Sequence, residues 1–138
     1  MKFNLFYLIF ISPIIGFAQT NSVTPQIMEQ VCQGSEAAAI NSLATLSART
    51  NNFKDLTLEK IRNSYIESMN DERERIKSII NTTTYQIILD SQEENFKYAL
   101  CQKLNRPSAT TAVIASELYF LCRRTITTGK TQTPEACF

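Results

Sequence analysis

The residues predict an all-α fold, a small antiparallel bundle of about four helices stapled by two disulfides. Three observations carry that expectation. Apolar residues recur at helical spacing along most of the chain, and no pair of alternating segments offers two strands a partnership. Turn-formers are sparse, with three glycines and four prolines in 138 residues, too few breaks for a chain of short strands. Four cysteines, Cys32, Cys101, Cys122 and Cys137, are spaced 69, 21 and 15 residues apart, which suits cross-links between distant elements.

The first 18 residues read as a cleaved signal peptide. Lys2 supplies the positive start, Phe3 to Ile11 is almost wholly apolar, and Pro13 and Gly16 break the run. Gly16 and Ala18 are small residues at the two positions a signal peptidase reads, so cleavage is expected before Gln19. The apolar run is shorter than the roughly 20 residues of a spanning helix, so no stable membrane anchor is expected. Residues 19–138 then form a single helical domain of 120 residues, periplasmic or secreted. Lys2 leaves with the leader, so 13 basic residues face 13 acidic ones. That balance gives no electrostatic footprint for nucleic acid or an anionic membrane.

Taken in order, Thr24 and Pro25 form a helix start, cap followed by a proline suited to the first turn. Ile27, Met28, Val31 and Cys32 follow at helical spacing, and Gly34 with Ser35 leaves open whether one helix or two runs to Thr50. From Thr57 a long pattern places Leu58, Ile61, Tyr65, Met69, Ile76, Ile79 and Ile80 on one face. Its charged stretch, Asp71 to Lys77, mixes both signs and reads as a solvated face, with Asp71 and Arg75 paired four residues apart. Residues 81–89 are ambiguous between helix and strand, and continued helix is expected because a lone strand has no partner. Asn81-Thr82-Thr83 matches a glycosylation acceptor.

Ser91 with Glu94 has the form of a capping box, so a further helix is expected to start there and carry Phe96, Leu100, Cys101 and Leu104. A corner at Asn105 to Pro107 separates it from a last helix lined by Val113, Ile114, Leu118, Leu121, Cys122 and Ile126, with Gly129 as its stop. If the two helices form a tight hairpin, Cys101 lies near the corner and Cys122 well beyond it. At about 1.5 Å per residue they are then separated by over 10 Å, more than the roughly 7 Å a bridge spans. The preferred pairing is therefore Cys32–Cys101 with Cys122–Cys137, the tail folding back after Gly129.

Chemistry is scarce. The chain has no histidine, which removes Ser-His and Cys-His nucleophilic sites and the common zinc hydrolases. No serine stands in a Gly-x-Ser-x-Gly elbow, and no close cysteine pair suits redox work. Gly129, Lys130 and Thr131 resemble the end of a phosphate-binding loop, but Arg124 occupies the place of its first glycine. Glu93 and Glu94 are adjacent, about 100° apart on a helix, and more suited to the helix N-terminus than to paired acid–base work. No catalytic residue, metal or cofactor is expected. Among the aromatic residues, Tyr98 and Tyr119 fall off the apolar stripes and are the candidates for anchoring a partner. The expectation is a non-enzymatic protein that binds another protein in its compartment, as inhibitor, immunity-type or accessory protein. The alternative is a small-molecule or lipid carrier with an apolar cavity between the helices, for which a cavity above roughly 300 Å³ is the sign.

Overall fold

The computed structural model of the chain describes residues 23–104 and 110–134. The leader, the corner at Asn105 to Pro107, Cys137 and the side chain of Arg75, with its expected Asp71 pair, lie outside the described residues. The described residues form four helices: α1 (Pro25–Arg49), α2 (Leu58–Lys77), α3 (Thr82–Lys103) and α4 (Thr111–Thr128). No strand occurs among the described residues. Each helix packs on its chain neighbours, and α1 also packs on α4, so the four form a closed ring with α1 diagonal to α3.

Cross-helix bonds give the antiparallel register. Ser42 Oγ on α1 donates to the Ser64 carbonyl on α2 at 3.1 Å, and Ser64 Oγ returns to the Ser42 carbonyl at 3.4 Å. Asn95 Nδ2 on α3 donates to Thr125 Oγ1 on α4 at 2.7 Å. Inside the ring, Tyr65 stacks on Phe96 with ring centroids 4.9 Å apart, surrounded by the fully buried Leu43, Ile61, Ile88 and Leu118.

The helix boundaries follow from local chemistry. Thr24 accepts from the Ile27 amide at 3.2 Å and Pro25 opens α1, as the sequence predicts. Gly34 and Ser35 do not break α1. Both are buried beside Ala38, Ala39 and Ser42, so these small residues form the seam that neighbouring helices approach. Residues 82–89 are helical, as expected, but they belong to α3 rather than to an extension of α2. Asn81 makes the difference: its Oδ1 accepts from the Thr84 amide at 2.8 Å and starts the new helix.

The capping box at Ser91 is a misreading. Ser91 lies mid-helix and its hydroxyl donates back to the Ile87 carbonyl at 3.1 Å, the alternative bond open to a helical serine. Glu93 and Glu94 accordingly serve no helix N-terminus. Val113 also departs from its expected place, being 43% exposed on the outer side of α4. Gly129 stops α4 as predicted, with φ of 77°, a left-handed conformation open to glycine without penalty. Beyond it the Gln132 amide donates to Asn95 Oδ1 at 3.0 Å, which lays the tail against α3 and α4.

The preferred cysteine pairing is overturned. Cys32 bonds Cys122, with Cα atoms 5.5 Å apart. Cys32–Cys101 fails because α1 and α3 sit at opposite corners, and a bridge between them has to cross the filled centre. Cys101 is only half-buried and so does not project into that centre. Cys122–Cys137 fails because Cys32 occupies the Cys122 sulfur. Among the described residues Cys32–Cys122 is the bridge the structure places, and no described cysteine is a free thiol.

Candidate functional site: an aromatic and charged face on α1 and α4

The Cys32–Cys122 bridge pins the first helix to the last, and a polar and aromatic cluster lies beside it. Tyr119 and Arg123 are one helical turn apart on α4 and so share its α1-facing flank. Tyr119 Oη donates to Glu29 Oε2 on α1 at 2.5 Å, and Arg123 Nη1 lies 3.9 Å from Glu29 Oε1. The Arg123 guanidinium also sits 5.8 Å from the centre of the Tyr119 ring, within cation–π range. Gln33 Nε2 donates to Glu29 Oε2 at 3.2 Å from the next turn of α1.

Phe120 meets Tyr119 edge-on, with centroids 5.5 Å apart and planes at 77°. It is 57% exposed, more than any other large hydrophobic side chain described as exposed. Next to Arg123, a shallow recess of about 410 Å³ runs along the start of α1 past Met28, Gln26 and Pro25. The charges are mutually adjusted: the Tyr119 hydrogen bond, then Gln33 and Arg123, holds the Glu29 carboxyl below its ordinary range despite partial desolvation. The same bond to Glu29 pushes the Tyr119 phenol up.

Of the two tyrosines singled out from sequence, only Tyr119 belongs to this cluster. Tyr98 lies on α3, partly buried against the core, and enters none of these contacts. Phe120, Arg123 and Glu29 were missed. The first two carried a signal, since an aromatic pair followed three residues later by arginine places a ring beneath a guanidinium on one helix face. Glu29 carried none, because its role depends on α1 meeting α4 in register.

A second charged group lies across α2 and α3. Glu93 is buried, Arg62 Nε approaches it at 2.9 Å and Lys97 Nζ at 3.9 Å, while Lys97 also pairs with Glu94. Burial raises the Glu93 pKa against the opposing pull of Arg62 and Lys97. Two cations satisfy this carboxylate, an arrangement suited to joining helices. Among the described residues no three His, Cys, Asp or Glu side chains come together as a metal-holding group, and no helix is long and apolar enough to cross a membrane. Comparison with protein families, curated proteins and solved structures finds no match for this chain.

Proposed function

We propose that this chain is an exported, non-enzymatic protein that acts by binding another protein in an extracytoplasmic compartment, through the α1–α4 face. The observation that carries the reading is Phe120, a large ring exposed beside a Tyr119–Arg123–Glu29 cluster whose members hold one another in place. Tyrosine and arginine are the residue types that most often dominate protein interfaces, and a preorganised cluster binds with less loss of side-chain freedom. The role is that of an inhibitor, an immunity-type protein or an accessory subunit. Export rests on the leader at residues 1–18, and a disulfide is compatible with it. The reading keeps a second disulfide, since Cys101 has no free thiol.

The carrier reading is less well supported, since the bundle axis is occupied by Tyr65, Phe96 and the aliphatic residues around them, and the recess of about 410 Å³ beside Arg123 is a shallow surface feature rather than a cavity enclosed between helices. The test is capture from the native compartment with protein starting at Gln19. One stoichiometric partner retained by the wild type and by Leu58→Asp, a change at an exposed leucine elsewhere, but lost by Phe120→Asp, supports the reading. Equal capture by Phe120→Asp removes the proposed face from consideration.

A further inference from the structure

In the ring α4 packs on α1 and α3 and lies diagonal to α2, so its outer side points away from the other three helices. Val113, Phe120 and Thr127 follow one another at seven-residue intervals along that side, and all three are exposed. Seven residues turn a helix through about 700°, so side chains at this spacing stack within about 20° of one another. Phe120 is the middle member and sits near the midpoint of the 18-residue helix. The opposite side of α4 supplies the core, through Ile114, Leu118, Leu121 and Thr125.

Two charges border the ring. Glu117 stands three residues before Phe120 and Arg124 four after it, again seven apart and so on one shared flank of the outer face. Among the described residues neither side chain has an ion-pair partner on this chain. Nor do they serve each other, because two turns of helix, about 10 Å, lie between them. Arg123, on the other flank, is engaged by Glu29 and the Tyr119 ring.

We propose that a second copy of this chain docks on this face, α4 against α4, antiparallel about a twofold axis at Phe120. Such an interface presents the same patch from both partners, so each contact occurs twice. The two Phe120 rings meet at the axis, where offset stacking of aromatic rings is favourable. The axis falls midway between Glu117 and Arg124, which brings Glu117 of each chain level with Arg124 of the other. Two reciprocal ion pairs result. A parallel pair in register would instead set Glu117 on Glu117 and Arg124 on Arg124, so the charges select the antiparallel arrangement. Exposed ion pairs add little affinity and one helix pair is a small contact, so the association is weak and the charges chiefly set its orientation. A foreign protein anchored on Phe120 excludes this pairing; that consequence alone rests on the function proposed above.

The test is sedimentation velocity of the intact disulfide-bonded protein starting at Gln19, from about 1 µM to 1 mM. A monomer–dimer equilibrium is expected. Glu117→Arg and Arg124→Glu each place like charges together on both sides of the axis, and each should weaken the dimer about tenfold or more. Mixed in equal amounts, the two variants should recover it. In that mixture the new arginine of one chain faces the new glutamate of the other, and the native pair is kept on the second side. Both changes lie on the outer surface of α4, and circular dichroism checks that each variant is folded. A monomer throughout the range, a dimer indifferent to either single change, or a mixture no more associated than its parts overturns the proposal. So does a dimer kept by Phe120→Asp and lost in Leu58→Asp, which places the contact elsewhere. Glu117→Arg retains Phe120, so partner capture by that variant is read separately from self-association.

Discussion

Gln92 sits on α3 fully shielded from solvent, and neither its amide oxygen nor its amide nitrogen has a hydrogen-bond partner among the described residues. Unpaired burial of such a group costs about 1–3 kcal/mol in proteins, and an apolar side chain of similar size avoids that cost. Gln92→Met should therefore raise stability by about 1 kcal/mol or more, read as a higher urea midpoint at unchanged slope. The neighbouring Glu93 gives a pH signature. Burial is the largest influence on it and raises its pKa above the ordinary 4.5. A carboxyl harder to ionise in the fold than in the unfolded chain favours the fold most below the unfolded value. That advantage is lost as pH climbs from about 4.5 through the raised folded value. Glu93→Gln should flatten this fall in stability between mildly acidic and neutral pH, measured by thermal melts across that window. Lys97 keeps Glu94 as its partner in the variant, and the more exposed Arg62 is left to solvent.

At the scale of elements, the end of α4 and the start of α1 were legible because their signals are local. Thr24 before Pro25 and Gly129 after Thr128 are chemical statements about one turn of backbone. The boundary between α2 and α3 was not legible, because two caps competed: Ser91 had the better motif and Asn81 the actual bond. A serine–glutamate spacing says nothing about whether the helix has already begun. The tail's docking was legible only in outline. Its anchor is Asn95, fully buried, which donates to Thr125 and accepts from the Gln132 amide, while Thr125 bonds the Lys130 carbonyl at 3.0 Å. No pattern in the sequence separates Asn95 from an exposed helix asparagine, since its value comes from a partner 30 residues away. Asn95→Ala removes both bonds and should cost about 2–3 kcal/mol. Hydrogen exchange gives the sharper readout: the Gln132 amide should lose its protection in the variant before the amides in the middle of α3 lose theirs.

Across the whole molecule, the closed ring decides the cross-link, and here the sequence argument stopped one step early. It placed Cys122 away from the α3–α4 corner, which is correct. In an antiparallel ring of four, the end of α4 shares an end of the bundle with the start of α1. Cys32 lies seven residues into α1 and Cys122 six before the end of α4, so the two come level on adjacent helices. Knowing that α1 packs on α4 was the missing piece, and it depends on how the ring closes rather than on any local residue. The bridge joins positions 90 residues apart, nearly the whole helical domain. In the loop-closure account a link of that length restricts the unfolded chain by about 4–5 kcal/mol. That is a large share of the 5–15 kcal/mol typical of a domain's net stability. Replacing both cysteines with alanine should therefore lower the melting temperature by roughly 15–25 °C, independent of protein concentration. The same variant also releases α1 from α4 beside Glu29 and Tyr119. Fluorescence or NMR of Tyr119 below the new melting point should report a loosened ring, whereas Tyr65, stacked on Phe96 in the centre, should keep its native environment. A bridge that acts only on the unfolded chain would leave both tyrosines unchanged. Loss of order at Tyr119 alone would mean that the disulfide also holds the α1–α4 face in its binding geometry.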